Sequence, residues 1–490
     1  MEPLSLSPDD LAVKIPRLWA LSAAKIRLIE ERFDQSLGSP VYTVEGRYTS
    51  RGWTEWTEGF LYGSALLQFD GTRDEEFLEL GRGRTVERMA RHVTHTGVHD
   101  HGFNNVSTFG NLLRLTREGV IEAGAWETRY YELALMASGA VQAARWSTTS
   151  LGCGYIYSFN GPHSLFADTI RSLRSLAVAH LLGHRLMGEN DRRISLLDRL
   201  VQHAATTARF IVYYGTGRDA YDLRGRVSHE AIFNPNDGSY RCPSTQQGYS
   251  PFTTWTRGLA WIICGFAEQI EFIDSLDTLL VQEELPGIAV LLEGLGLTGR
   301  EQEGKEDPRE LGVKERVLAF MVSSCRAACD FYLANTPVDG IPYWDTGAPG
   351  LAMMGDYRDR RADPYNEYEP VDSSAAAIAA QGLMRFGRHL LPTDKEAGER
   401  YLRSGLTILN TLLEEPYLSL APDHEGLLLH SIYHRPNGWD HLSAGRRVPS
   451  GESSMWGDYH LREAVLYLDR LISGKPYLHF FPKEAPNDNC

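Results

Sequence analysis

Nowhere in the 490 residues does an apolar run approach the roughly twenty residues that a membrane-spanning helix needs. The N-terminal stretch from Met1 to Trp19 carries acids and prolines where a signal peptide requires a basic start and an apolar segment. Both absences predict a soluble, cytoplasmic protein with no membrane association. Cysteine is scarce: the six, at 153, 242, 264, 325, 329 and 490, are too few and too scattered for a disulfide framework. Cys325 and Cys329 stand one helical turn apart without further Cys or His nearby, which predicts core thiols and not a metal pair. Basic residues are outnumbered, 49 Lys+Arg against 64 Asp+Glu, giving a net charge of −15. That balance argues against nucleic-acid binding, which needs a basic face, and against long-range steering of an acidic glycan, so local cations would have to hold any anionic substrate. Phosphate-loop, serine-nucleophile-elbow, zinc-helix and dinucleotide fingerprints are all missing.

What is present is helix. Amphipathic patterns predict helices at 8–35, 54–70, 73–95, 103–118, 121–146, 165–188, 191–214, 251–274, 314–335, 372–388, 394–415 and 455–473. Short extended pieces are predicted at 151–160, 226–233 and 425–433. The helices at 54–70, 165–188, 251–274, 372–388 and 455–473 are rich in Gly, Ala, Ser and aromatic residues. Those at 8–35, 73–95, 191–214 and 394–415 carry Arg and Glu on one face. An inner ring packed on both sides and an outer ring half in water would produce this alternation. The predicted fold is therefore all-α: six helical hairpins closed into an (α/α)6 barrel, one domain over 1–477. An insertion is expected at about 276–313, and residues 478–490 are expected to form a surface tail.

Gln246–Trp261 (QQGYSPFTTWTRGLAW) concentrates an amide, Gln247, two indoles, Trp255 and Trp261, and a guanidinium, Arg257. Ser250-Pro251 has the chemistry of a helix start, with Arg257 and Trp261 then one turn apart on one face. A planar cation beside aromatic plates suits a small ring bearing a carboxylate; a buried tryptophan helix with a snorkelling arginine is the commoner arrangement. Two acids stand in unusual surroundings: Asp100 between His99 and His101, and Asp168 among Leu165, Phe166, Ile170 and Leu173. Burial would raise the pKa of Asp168, as a general acid near neutrality requires. A helix-start aspartate bonded to backbone N–H groups is the alternative. His99 and His101 could be two metal ligands, but no third is evident. His229 lies in a predicted extended stretch. Asp372 and Asp458 read as helix-start residues with structural roles.

Together these pieces resemble the unsaturated glucuronyl hydrolases, glycoside hydrolase family 88, and the related unsaturated rhamnogalacturonyl hydrolases. The matching segments occur in family order: WTEGF (56–60), HDHGF (99–103), FADTIRSL (166–173), QGY…TWTRGLAW (247–261), DSSAAAIAAQGL (372–383), EGLLLH with HRP (425–436) and WGDY (456–459). The resemblance implies an (α/α)6 barrel enzyme without metal or cofactor. Its substrate would be an oligosaccharide ending in a 4,5-unsaturated uronic acid, cleaved by hydration of the C4=C5 bond. Carried over by position, Asp168 is the implied general acid/base and Asp100 the assisting carboxylate. Gln247, Arg257 and His229 are the implied polar contacts to the ring, and Trp56, Phe103, Trp255, Trp261 and Trp456 its aromatic walls. Departures from the family pattern are His101, and Arg171 in the run after Asp168. If Arg171 points inward, it is expected to lower the acid's pKa or to bind a second anionic group. The alternatives are an inverting glycosidase using Asp100 and Asp168 on a saturated sugar, and a non-catalytic sugar-binding barrel. A monomer and a homodimer are equally compatible with the sequence.

Overall fold

Six consecutive helical hairpins close on themselves in a computed structural model that describes residues 1–52, 55–297, 311–475 and 479–481. Their helices are α1 (Ile15–Arg32), α2 (Glu58–Thr72), α3 (Glu75–Arg88), α4 (101–117, with a π-turn over Val106–Gly110), α5 (Ala125–Ala144) and α6 (169–181). The second half supplies α7 (Leu196–Phe210), α8 (Thr256–Ser275), α9 (Val313–Asn335), α10 (Ser373–Leu390), α11 (Lys395–Leu412) and α12 (Met455–Ser473). The even-numbered helices form the inner ring, each packed on the next, and α12 returns to α2. The odd-numbered helices lie outside them. This is the (α/α)6 toroid expected from the alternation of helix character.

Composition explains the layers. Helix α10 is buried without a break from Ser373 to Gly387, with alanines where a larger residue would not fit. Outer helices such as α7 and α11 bury one face and expose Arg, Asp or Glu on the other. Glycines set the spacing of the inner ring. A Cβ on Gly265 of α8 would meet Ile170 Cγ2 at 2.6 Å and Arg171 N at 2.8 Å, and one on Gly382 of α10 would meet Cys264 Cα at 2.7 Å. Only a residue without a side chain lets these backbones approach. Helix α9 is long and apolar enough to span a membrane by length and composition, with a mean hydropathy of 1.4, but it lies in the outer ring and packs Phe320, Cys325 and Cys329 into the core.

The barrel axis is filled with paired charge. Arg171 donates to Glu268 Oε1 and Oε2 at 2.9 Å each, to Glu463 Oε2 at 2.7 Å and to His460 Nε2 at 2.8 Å. Arg174 completes the group with Glu463 Oε1 at 3.4 Å. Arg171 does point inward, yet its charge is spent on these two glutamates, so it is neither beside the acid nor available to an anion.

Several boundaries differ from the sequence reading. Helix α8 begins at Thr256 and not at 251, because Thr256 N donates to Trp344 O and Trp255 bridges Asp345 in an antiparallel pair. Residues 425–433 make isolated bridges, Leu428 with Leu418 and Leu429 with Ser453, and no strand. Within 276–313, two short helices (Thr278–Glu284 and Ile288–Gly294) bury Val281, Ile288 and Leu292, while 298–310 lie outside the described residues. The predicted surface tail needs correction where it is described: Phe480 and Phe481 are buried, Phe481 against Phe272 and Phe480 near the Arg174 guanidinium. Residues 482–490 lie outside the described residues.

Candidate active site

One small antiparallel sheet gathers three segments that are far apart in sequence: Ser164–Phe166, Glu230–Phe233 and Tyr240–Ser244. Its register pairs Phe166 with Glu230 and Glu230 with Ser244. The chain ends beside these pairs lead directly to Asp168, His229 and Gln247, and Ala167 N extends the ladder by donating to His229 O at 2.9 Å. Asp168 opens α6 and Asp100 opens α4, yet neither side chain caps its helix. Asp372, by contrast, accepts from Ser374 N and Ala375 N as an ordinary N-cap. Asp458 accepts from Leu427 N, Leu428 N and Tyr48 Oη, the structural role expected for it. Two uncapped carboxylates, Asp100 buried and Asp168 partly exposed, are therefore left at the same end of the barrel.

Both line a cavity walled by Trp56, Phe103, Trp255 and Trp261, with Gln247 and Arg257 also at its surface. Phe103 and Trp261 pack with ring centroids 4.9 Å apart, and Trp56 lies 6.4 Å from Phe103. Trp456 is not a wall: it is fully buried behind Trp56, stacked at 5.1 Å.

His99 joins the carboxylates. Its Nε2 lies 3.1 Å from Asp168 Oδ1 and 3.7 Å from Asp100 Oδ1. Burial disfavours an imidazolium, but the two carboxylates outweigh it and raise the His99 pKa. Burial likewise pushes Asp168 up, but the charge and hydrogen bond of His99 reverse this and leave Asp168 below its ordinary value. Asp100 is raised, by burial first and by the charge of Asp168, against the opposing pull of His99. The expectation that Asp168 itself would be raised is thus overturned in the free site; the bridging imidazole is the physical reason. His101 turns the other way, to Ser138 Oγ and His95 O at 2.9 Å each, so the two histidines flanking Asp100 diverge and do not converge as metal ligands.

Arg257 reaches the site but is not a free cation. It pairs with Asp372 Oδ2 at 2.9 Å, donates to the carbonyls of Ile432 and Tyr433, and lies between the rings of Trp255 and Trp456 at 4.7 and 4.8 Å. It also donates to Gln247 Oε1 at 2.8 Å. That bond fixes the amide so that Gln247 keeps its N–H pair as the donor for a ligand. His229 stands behind the wall and does not line the cavity. Its Nδ1 accepts from Gln246 N and Gln247 N at 3.1 and 3.3 Å, and burial lowers its pKa to about 4. It shapes the loop that presents Gln247.

No protein-family model matches the chain. Whole-length similarity to individual proteins is nevertheless consistent. The chain is 25% identical over 468 residues to an unsaturated glucuronyl hydrolase of Bacillus sp. (strain GL1), covering 93% of this chain and 96% of that one. It is 23% identical to an unsaturated chondroitin disaccharide hydrolase of Streptococcus pyogenes serotype M1, covering 94% and 92%. The solved glucuronyl hydrolase of Bacillus sp. GL1 superposes with a TM-score of 0.64 at 22% identity over 94% and 97% of the two chains. Over nearly its whole length the chain is similar to unsaturated glucuronyl hydrolases. That similarity supports an enzyme, a hydrolase, and a toroid solved for a glucuronyl hydrolase specific for heparin also superposes, with a TM-score of 0.65 at 18% identity over 94% and 98% of the chains.

Sequence reasoning missed part of the cavity. Phe159, Phe166, Gln246, Tyr433, His434 and Trp439 also line it. Tyr433, His434 and Trp439 come from a loop without periodicity, where the HRP segment was the one available signal. His99 was adjacent to a chosen acid, but its bond to Asp168 spans 69 positions and left no local trace.

Proposed function

We propose that this enzyme removes a 4,5-unsaturated uronic acid from the non-reducing end of an oligosaccharide by hydrating the C4=C5 bond. The observation that carries the reading is the pair of uncapped carboxylates joined by His99 in a cavity lined by aromatic residues. Asp168, protonated once the ring is bound, gives its proton to C4; water then adds at C5 and returns a proton to the Asp168 carboxylate. The resulting hemiketal collapses, the ring opens and the remaining saccharide leaves. Asp100 keeps negative charge beside Asp168 low by sharing a proton, the role for which a raised carboxyl is suited. Indole and phenyl faces suit a flattened ring, and the Gln247 amide is placed to donate to its carboxylate or hydroxyls. The names of the similar proteins support the same substrate class, an unsaturated glucuronyl or chondroitin-derived end.

An inverting attack on a saturated sugar fits less well. One nitrogen lies 3.1 and 3.7 Å from an oxygen of each carboxylate, which keeps those oxygens out of all but the lowest part of the ~6.5–9.5 Å gap such enzymes use. Lyase-generated disaccharides absorb in the near ultraviolet through their conjugated double bond, so incubation with the enzyme is expected to bleach that absorbance. Release of a saturated sugar with the absorbance intact would refute the proposal. A panel of lyase products from glycosaminoglycan, gellan, xanthan, ulvan and pectin identifies the feeding polysaccharide.

A further inference from the structure

The hydration reading, on which this inference rests, needs Asp168 protonated at the moment of attack, whereas in the free site His99 holds it ionised. We infer that His99 is a positioning residue that keeps the proton for Asp168: in the free site the imidazolium stands between the two carboxylates, and it passes its Nε2 proton across the 3.1 Å hydrogen bond when the ring enters. The His99 Nε2–H bond breaks as the Asp168 Oδ1–H bond forms, and the imidazole is left neutral with its other proton on Nδ1. Asp168 then protonates C4 and recovers a proton from the water that adds at C5. The centre ends with the proton count it began with, ready to return one to His99 when product leaves.

Three observations favour this. The ring is held in place, its backbone carbonyl accepting from Gln142 Nε2 at 2.8 Å and Ser172 Oγ at 2.7 Å, with Phe159 and Phe166 against its faces and edge. His99 Nδ1 is buried with no hydrogen-bond partner among the described residues, so Nε2 is the ring nitrogen through which a proton can pass to the site. Asp168 keeps 14% of its side chain exposed, and a sugar ring would displace the water there. Drying the site penalises charge on both partners, so the neutral acid–imidazole pair gains on the ion pair. The other charged or titratable groups facing His99 are Asp100, Arg145 from the end of α5, His203 from α7 and His229 beside the sheet. Arg145 opposes the cation; burial holds His203 at about 3 and His229 at about 4, so neither competes for the proton near neutrality.

His99→Gln retains an N–H donor toward Asp168 but has no proton to pass. With absorbance loss of an unsaturated disaccharide as the readout, the alkaline limb of kcat/KM against pH is expected to move down by about one pH unit or more, with activity kept at the acid end. A uniform fall with the limb unmoved would make His99 merely structural and overturn the inference. If the variant does not fold, NMR titration of the wild-type imidazoles decides it. The His99 ring is expected to be protonated in the free enzyme and neutral with a non-reactive saturated uronate bound; a ring that stays protonated in the complex overturns the inference. Wild-type enzyme that bleaches no unsaturated uronate removes the hydration reading and this inference together, whereas an unmoved limb removes the inference alone.

Discussion

At the scale of single residues, the site separates groups that do chemistry from groups that hold them. Asp168→Asn keeps the shape of the cavity and removes the acid; kcat is expected to fall by about 10²–10⁴-fold with little change in substrate affinity, and equilibrium binding beside turnover measures both. Arg257 belongs to the second group. Arg257→Ala would leave the buried Asp372 carboxylate unpaired and cost roughly 3–5 kcal/mol of stability. In the double variant Arg257→Met with Asp372→Asn, the melting temperature is expected to recover while KM stays high, because the Gln247 amide has lost its anchor. Recovery of KM along with stability would assign Arg257 to the scaffold alone. Trp255 and Trp261 were legible in the sequence because they cluster with Arg257 in one short stretch, Trp56 and Phe103 only through the family resemblance, and Asp168 because a carboxylate among apolar neighbours is expensive without a purpose. Their electrostatics were not legible. The partner of Arg257 lies 115 positions away and that of Asp168 lies 69 away, and no local pattern encodes either distance.

At the scale of elements, the loop that carries His99 and Asp100 is tied down at the start of α2. Glu58 accepts from Arg91 at 2.6 Å and His92 at 2.7 Å, and Asn104 in α4 accepts from Gly59 N at 2.9 Å. Burial alone would raise the Glu58 pKa, but the bonds from His92 and Arg91 bring it from 4.5 down to about 2. A carboxyl depressed in the folded state contributes stability that is fully present above the unfolded value and lost as pH falls through the folded one. Melting temperature is therefore expected to drop between pH 4.5 and 2, and Glu58→Gln to flatten that segment of the curve; an unchanged slope would show that Glu58 is not the titrating clamp. The glycine seams are equally specific. Gly265→Val would force α8 away from α6 at Ile170 and Arg171, with a loss of stability of about 1–3 kcal/mol from overpacking read by denaturant unfolding. Helix identity and order were readable from periodicity, whereas the start of α8 was not, because a backbone pairing with Trp344 and Asp345, some ninety positions on, overrides the Ser-Pro signal.

At the scale of the molecule, the toroid is a tube blocked along its axis by the lattice of Arg171, Glu268, Glu463 and Arg174. Among the described residues, a tube blocked in this way is entered from its far side. Whatever enters first must leave last: the terminal sugar goes in ahead of the chain it ends, and once the chain is cut the outer saccharide stands between that sugar and solvent. Release is thus ordered by geometry. The uronate product should inhibit competitively with substrate, and the outer saccharide should give mixed inhibition, in initial-rate experiments with each product added in turn. Competitive patterns for both would mean that the innermost sugar has a second way out.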